Sequence, residues 1–170
     1  MGLEIERKFL LLSEDWRAAT SGSPVRMRQG YLQRSGEAIV RVRVAGERAF
    51  LTIKGKTCGI SRSEFEYEIP AADAEELLRI ADGPLIDKTR HYAPVDGHTF
   101  EIDEFHGDNQ GLVVAELELE SEEQTFPRPA WLGEDVSSDP RYRNAWLSLQ
   151  PYQSWPEVAS AGLPSGPDTP

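Results

Sequence analysis

The sequence predicts a single strand-rich α+β domain built from hairpin-connected strands and a few helices, on three observations. Charged and apolar residues alternate along segment after segment, the period of a half-buried strand. Short breaks rich in Gly, Ser and Asp separate successive segments, as antiparallel hairpins require. Helical patterns are confined to a few short stretches, and a chain of 170 residues fits one domain.

Leu3–Leu12 opens as a strand with Glu4, Glu6 and Lys8 on one face and Leu3, Ile5, Arg7 and Phe9 on the other. Ser13 is the candidate N-cap of a helical turn that ends before the loop Thr20–Pro24. Arg26–Gln33 and Ala38–Val44 follow as strands around the turn Ser35-Gly36-Glu37. In the second of them Arg41 and Arg43 share a face opposite Val40, Val42 and Val44. Ala45-Gly46-Glu47 turns the chain into Arg48–Lys54, and the loop Gly55–Gly59 leads to Ser61–Ile69, where Glu64, Glu66 and Glu68 oppose Phe65, Tyr67 and Ile69. Ala72–Ala81 reads as an amphipathic helix capped at or beside Asp73 and closed near Gly83. Leu85–Tyr92, His98–Phe105 and Leu112–Glu120 return to strand, the first two joined by the hairpin signal Asp96-Gly97. Ser121–Pro140 reads as irregular with a short helical piece, and Asp139–Leu149 as a helix with Asp139 as N-cap and Pro140 at its first position. The domain is expected over residues 1–156, and the Ala-, Ser-, Gly- and Pro-rich residues 157–170 as a disordered tail.

Composition excludes several classes. A formal net charge of −11 argues against a nucleic-acid surface binder, and no apolar run is long enough to span a bilayer. No basic stretch followed by an apolar one opens the sequence, so a cytoplasmic protein is expected. The single cysteine, Cys58, rules out an internal disulfide and a cysteine-based zinc cluster, and reads as a half-buried residue near a turn. His91, His98 and His106 have no metal-triad spacing.

The charged faces carry the functional argument. For any one pair, solvation is a sufficient explanation. Taken together the pairs are sorted by sign: Glu4/Glu6, Glu64/Glu66, Glu101/Asp103 and Glu116/Glu118 are acidic, whereas Arg41/Arg43 and Lys88/Arg90 are basic, with Lys8 and Lys54 beside them. The opposite faces are strongly apolar and must be covered. A barrel with charges in its lumen satisfies both demands, and so does an open sheet with helices on its apolar face. Carboxylates without Cys or His partners suit a hard cation, and Arg and Lys suit phosphate oxygens. The set therefore describes a site for a cation–polyphosphate complex.

These residues resemble a known family. Glu4-Ile5-Glu6-Arg7-Lys8 is similar to the ExExK motif of the CYTH, or triphosphate tunnel metalloenzyme, family. Arg41-Val-Arg43, Thr52-Ile-Lys54, Glu64-Phe-Glu66, Lys88-Thr-Arg90, Glu101-Ile-Asp103 and Glu116-Leu-Glu118 follow in the family's order. The resemblance spans about Gly2–Leu149 and is strongest to small bacterial members. It implies a closed eight-stranded antiparallel β-barrel, a tunnel with a charged lumen and flanking helices. It also implies metal-dependent hydrolysis of inorganic tripolyphosphate with Mg²⁺ or Mn²⁺.

By the resemblance, Glu4, Glu6, Glu116 and Glu118 would hold metal, and Lys8, Arg41, Arg43, Lys54, Lys88 and Arg90 would bind phosphates. Glu64 and Glu66, counted with Lys8 and Lys88 as the catalytic set, would partner the basic residues or aid a second metal. A water held by metal and carboxylate would attack the terminal phosphorus, and Lys8 or Lys88 would assist the leaving phosphate. Glu101 and Asp103 would complete the lumen. The implied partner is a small polyphosphate, with no nucleic acid and no membrane, in a monomer or a homodimer. Alternatives are a class IV-type adenylate cyclase or a thiamine or nucleoside triphosphatase on the same fold, a non-catalytic polyphosphate-binding module, and a β-sandwich with solvated faces. Asp139–Leu149 is the candidate tunnel plug, because its Trp146, Leu147 and Leu149 must pack somewhere.

Overall fold

The protein was analysed as a computed structural model, which describes residues 2–161. Its strands are β1 (Gly2–Leu11), β2 (Val25–Gln33), β3 (Ala38–Ala45), β4 (Arg48–Gly55), β5 (Ser61–Ile69), β6 (Ile86–Val95), β7 (His98–Phe105), β8 (Val113–Glu118) and β9 (Leu132–Asp135). The helices are short: α1 (Trp16–Ala19), α2 (Ala71–Arg79), α3 (Asn144–Leu147) and α4 (Pro156–Ala161). None is long and apolar enough to cross a membrane.

Strands β5-β4-β3-β2-β6-β7-β8-β1 lie side by side, and a further β5–β1 pairing closes them into an eight-stranded antiparallel barrel. Closure depends on β1, whose first half, Gly2–Ile5, pairs with β5 while Glu6–Phe9 pair with β8. The ninth strand, β9, extends the sheet beyond the barrel on the far half of β1. There Gly133 comes so close that a Cβ would lie 2.8 Å from the Leu10 carbonyl oxygen, which explains a glycine in a strand. The β6–β7 turn places both Asp96 and Gly97 at positive φ, 46° and 80°, as a two-residue hairpin of the expected handedness needs.

Polarity is inverted relative to an ordinary small barrel. Inward residues are largely charged, and the apolar residues between them face outward beneath other elements. Phe9, Phe100, Ile102 and Leu117 pack with Trp16 of α1 and with Trp131. Val42 and Ala49 pack under Ala74 and Leu78 of α2. One stretch of the lumen is the exception. Ile86, Phe105 and Val114 continue the inward rows of Lys88, Asp103 and Glu116, and they are sealed by Leu147 and Trp155. The C-terminal segment thus closes one end of the barrel with an apolar plug.

Several local expectations are corrected. Asp15, not Ser13, occupies the cap position of α1. Helix α2 begins after Pro70, because the Ala74 amide donates to the Pro70 carbonyl, and Asp73 lies inside its first turn. Residues 139–149 do not form one helix. Asp139 caps a 3-10 turn at Pro140–Tyr142, the extended Arg143 breaks it, and α3 restarts at Asn144. Strand β9 lies within the stretch read as irregular. Residues 157–161 are helical in α4, and the rest of the expected disordered tail lies outside the described residues. Cys58 is exposed rather than half-buried. Trp146 and Leu149 are exposed, so Leu147 alone of the three seals the plug.

Phe100 is 0% exposed and packs edge-on against Trp131 at a ring distance of 5.3 Å. Phe100→Ala is expected to lower the unfolding free energy by about 3–5 kcal/mol, measured by denaturant titration; a loss under about 1 kcal/mol would contradict this packing.

Candidate active site

The site follows from the register of the barrel. With period two, alternate residues of each strand point inward. The ladder then sets inward residues face to face across neighbouring strands: Glu4 opposite Arg62, Lys8 opposite Glu116, Lys54 opposite Glu64, and Arg90 opposite Asp103. Two positions bring carboxylates directly opposite each other, Glu6 with Glu118 and Glu101 with Glu116. Such like-charge pairs are destabilising without a cation between them. Arg90 bridges the second, donating to Glu101 and to Glu116. At the first, Lys8 lies 3.2 Å from Glu6, and Glu118 makes no ion pair among the described residues.

A cavity of about 230 Å³ runs through this lumen. Of the residues predicted from sequence, it is lined by Glu4, Glu6, Lys8, Arg41, Arg43 and Lys54, and further by Glu64, Glu66, Arg90, Glu101, Glu116 and Glu118. Lys88 and Asp103 do not reach it. Both are fully buried deeper in the barrel interior, 2.5 Å apart, with Arg90 donating to both Asp103 oxygens and Lys88 to Asn144. Tyr31, which the strand pattern leaves between tunnel and core, lines the cavity, and so do residues that sequence reasoning passed over: Arg62, and Arg143 with Asn144 and Ala145. Arg62 carried a signal, since it precedes Glu64 in the inward register of β5. Arg143 and Asn144 carried none, because the C-terminal segment has no strand period.

The charges divide the lumen into two regions. On the β3 side Arg41 donates to Thr52 at 3.1 Å and, more weakly, to Glu66 at 3.5 Å, and its Nε is buried without a partner. Arg43 finds only the neutral Gln29. Burial, with Arg41 and Arg90 nearby, pushes the Arg43 guanidinium down to about 10. Burial and the neighbouring Arg41 and Arg62 also lower Lys54, against the pull of Glu4 and Glu6. This region is short of negative charge. On the β1/β8 side the reverse holds. Burial and the nearby Glu4, Glu64 and Glu6 raise the Glu118 carboxyl above its ordinary range. The Glu64 Oε2 is buried without an aligned donor, although Lys54 Nζ lies 2.7 Å away. Glu4, Glu6 and Glu64 are paired with Lys54, Arg62 and Lys8, so Glu118, which is exposed, is the carboxylate here without an ion pair among the described residues.

The two lysines differ sharply. Burial disfavours the Lys8 ammonium, but Glu116 and Glu6 outweigh it and raise Lys8 above the ordinary lysine value. Lys88 is pushed down to about 7 by burial, with Arg90 and Arg43 adding to the effect and Asp103 opposing it. Glu116, which burial alone would raise, is held well below the carboxylate range by Lys8 and Arg90.

Among the described residues no group of three or more carboxylate, imidazole or thiol side chains forms a ready-made cation cage. Glu4 turns instead to Lys54 and Arg62. The donor chemistry at Glu118, Glu4, Glu6 and Glu64 nevertheless fits a hard divalent cation: every donor is oxygen, and Glu118 is uncompensated.

Fold and site together define a class: a closed antiparallel barrel whose lumen pairs an anion-binding wall with an acidic corner. Comparison with known proteins gives the family. The CYTH domain profile matches residues 2–144, and the chain belongs to that family. A protein of Acetivibrio thermocellus named inorganic triphosphatase is 44% identical over 158 residues, covering 92% of this chain and 100% of that protein. An inorganic triphosphatase of Nitrosomonas europaea is 38% identical over 150 residues, covering 86% of this chain and 97% of that one. The crystal structure of the inorganic triphosphatase NE1496 superposes with a TM-score of 0.62 at 35% identity, covering 88% of this chain and 96% of that one.

The Lys88 shift has a consequence for stability. Below about pH 7 Lys88 carries its proton in both folded and unfolded chains; between about 7 and the ordinary lysine value of 10.5 only the unfolded chain keeps it. The unfolded state then binds more protons, so this group's contribution to stability rises with pH through that window. Denaturant titrations from pH 6.5 to 9.5 are expected to show this rise in the wild type and to lose it in Lys88→Met; parallel curves would contradict the lowered Lys88.

Proposed function

We propose that this chain is an inorganic triphosphatase that hydrolyses tripolyphosphate inside the barrel with a divalent cation, Mg²⁺ or Mn²⁺. The observation that carries the reading is the division of the lumen. Among the described residues Arg43 makes no ion pair and Arg41 only a long one, 3.5 Å to Glu66, on one side, and Glu118 makes none on the other. A polyphosphate supplies the missing negative charge, and the cation it brings supplies the missing positive charge. The relatives named inorganic triphosphatase, matched over most of their length, support the same reading.

The protein's part in such a reaction is positioning and charge stabilisation. Arg41 and Arg43 hold phosphate oxygens through guanidinium forks, with Lys54 and Arg90 as flanking cations. Lys8, kept protonated by Glu116 and Glu6, is a fixed positive charge for the oxygens that gain charge as the bridging P–O bond breaks. Glu118, Glu4 and Glu6 are the residues that would hold the cation. When bound, it would neutralise phosphate charge and make a neighbouring water more acidic. Glu64, held by Lys54, accepts a hydrogen bond from the attacking water and aims it at the terminal phosphorus. The water oxygen bonds to phosphorus, the bridging oxygen departs with pyrophosphate, and the water's protons pass to the products. Asp103 fixes Arg90 and is itself held by Lys88, so both act from the buried interior rather than by touching substrate.

Phosphate release from tripolyphosphate is expected with Mg²⁺ or Mn²⁺, to vanish with chelator, and to exceed release from ATP. Glu118 makes no ion pair, so Glu118→Gln is expected to cut the rate at least tenfold, by about the factor seen when support for a bound metal is lost, without shifting the unfolding midpoint. Chelator-resistant release, or full activity in Glu118→Gln, would contradict the acidic corner. Cyclic AMP formed from ATP in place of phosphate would overturn the reaction itself.

A further inference from the structure

The cations of the barrel wall that face the acidic corner are already paired. Lys8 contacts Glu6 and Glu116, Lys54 contacts Glu4 and Glu64, and Arg62 contacts Glu4. Arg143 faces the same cavity from outside the barrel wall, between the 3-10 turn and α3. Its backbone is bonded to Pro140, Trp146 and Leu147, while its guanidinium makes no ion pair or hydrogen bond among the described residues. Arg143 also lines a smaller annex of about 40 Å³, beside Thr57, Gly59 and Ser137 and walled as well by Glu4, Glu6, Lys8 and Arg62, where the carboxylates stay within their own ion pairs with Lys54, Arg62 and Lys8.

The segment that carries Arg143 is held firmly. Leu147 is 0% exposed in the apolar plug, Asn144 accepts from Lys88 at 3.3 Å, and Arg34 donates to Ser148 at 3.1 Å. The free guanidinium is therefore presented to the tunnel where the lumen turns from charged to apolar. Beyond it Ile86, Phe105 and Val114 leave no polar path for a phosphate chain to continue. A half-buried guanidinium without a counter-charge is satisfied by an anion that offers several oxygens to its planar fork. A terminal phosphate has three unbridged oxygens and more charge than an internal one.

We infer that Arg143 recognises the terminal phosphate of a linear polyphosphate at the plugged end, so that the tunnel accepts chain ends and discriminates against cyclic polyphosphates, which have none. This inference rests on the polyphosphate reading of the site above, but not on turnover.

The test uses the full chain with Arg143→Gln and Arg143→Lys. Two probes are compared: linear tripolyphosphate and cyclic trimetaphosphate, each carrying three phosphorus atoms. Binding of both is measured by calorimetry with chelator present, and KM and kcat for tripolyphosphate with Mg²⁺. Loss of a charge-assisted contact is expected to weaken linear tripolyphosphate by about tenfold or more in Arg143→Gln, and the cyclic probe by less than about threefold. KM should rise more than kcat falls, Arg143→Lys should recover part of the loss, and the unfolding midpoint should stay fixed. A merely structural role would weaken both probes alike, and that result, or no change in either, would overturn the inference. A wild type that prefers the linear probe through Arg143 but releases no phosphate would sink the triphosphatase reading and leave this inference standing.

Discussion

A charge on the inner wall of a narrow barrel must find an opposite charge there, because it has no water to retreat into. Desolvating an ion costs several kcal/mol, and an interior ion pair recovers this only with good geometry and further hydrogen bonds. Most of the architecture follows from that constraint. The strands sort their charges by sign, so the ladder can set Lys8 against Glu116 and Lys54 against Glu64. Arg90 is braced by three carboxylates. The core of the protein moves to the outside of the barrel, where Trp16, Trp131 and α2 cover it.

The same constraint makes the unbalanced places informative. A lumen built only for stability would have been filled with apolar residues, since replacing buried ion pairs by well-packed hydrophobic groups is often neutral or stabilising. Here the balance is weakest in two separate places of opposite sign: at Arg43 with Arg41 beside it, and at Glu118. A ligand bringing both an anion and a cation corrects both at once. The plug adds a direction. It seals one end with Leu147 and Trp155 and turns Arg143 and Asn144 toward the cavity, so a bound chain meets a polar head backed by an apolar wall.

Much of this was legible in the sequence because a strand has period two. Glu4/Glu6, Arg41/Arg43 and Glu116/Glu118 reach the same lumen for no reason but alternation, and all line the cavity. Closure was not legible from pattern alone, since it depends on β1 dividing its pairing between β5 and β8, a long-range choice that no local signal marks. Lys88 and Asp103 share the register of the lumen yet are closed off from the cavity, because Ile86 and Phe105 are the next inward residues and the plug settles on them. Arg143 was invisible for the opposite reason: it reaches the site from a segment with no strand period, at the break between a 3-10 turn and α3. Strand β9 escaped because Leu132–Asp135 is four residues long and holds Gly133, whose value lies in close approach to Leu10.

The central claim is that the lumen is completed by a polyphosphate and a cation in separate places. A crystal structure with Mn²⁺ and a tripolyphosphate analogue whose bridging oxygens are replaced by imido groups would test it most directly. The account predicts anomalous density for manganese beside Glu118, Glu4 and Glu6, and phosphates on Arg41 and Arg43. Manganese elsewhere, or phosphates bound only on the outer surface with the lumen ion pairs undisturbed, would contradict it.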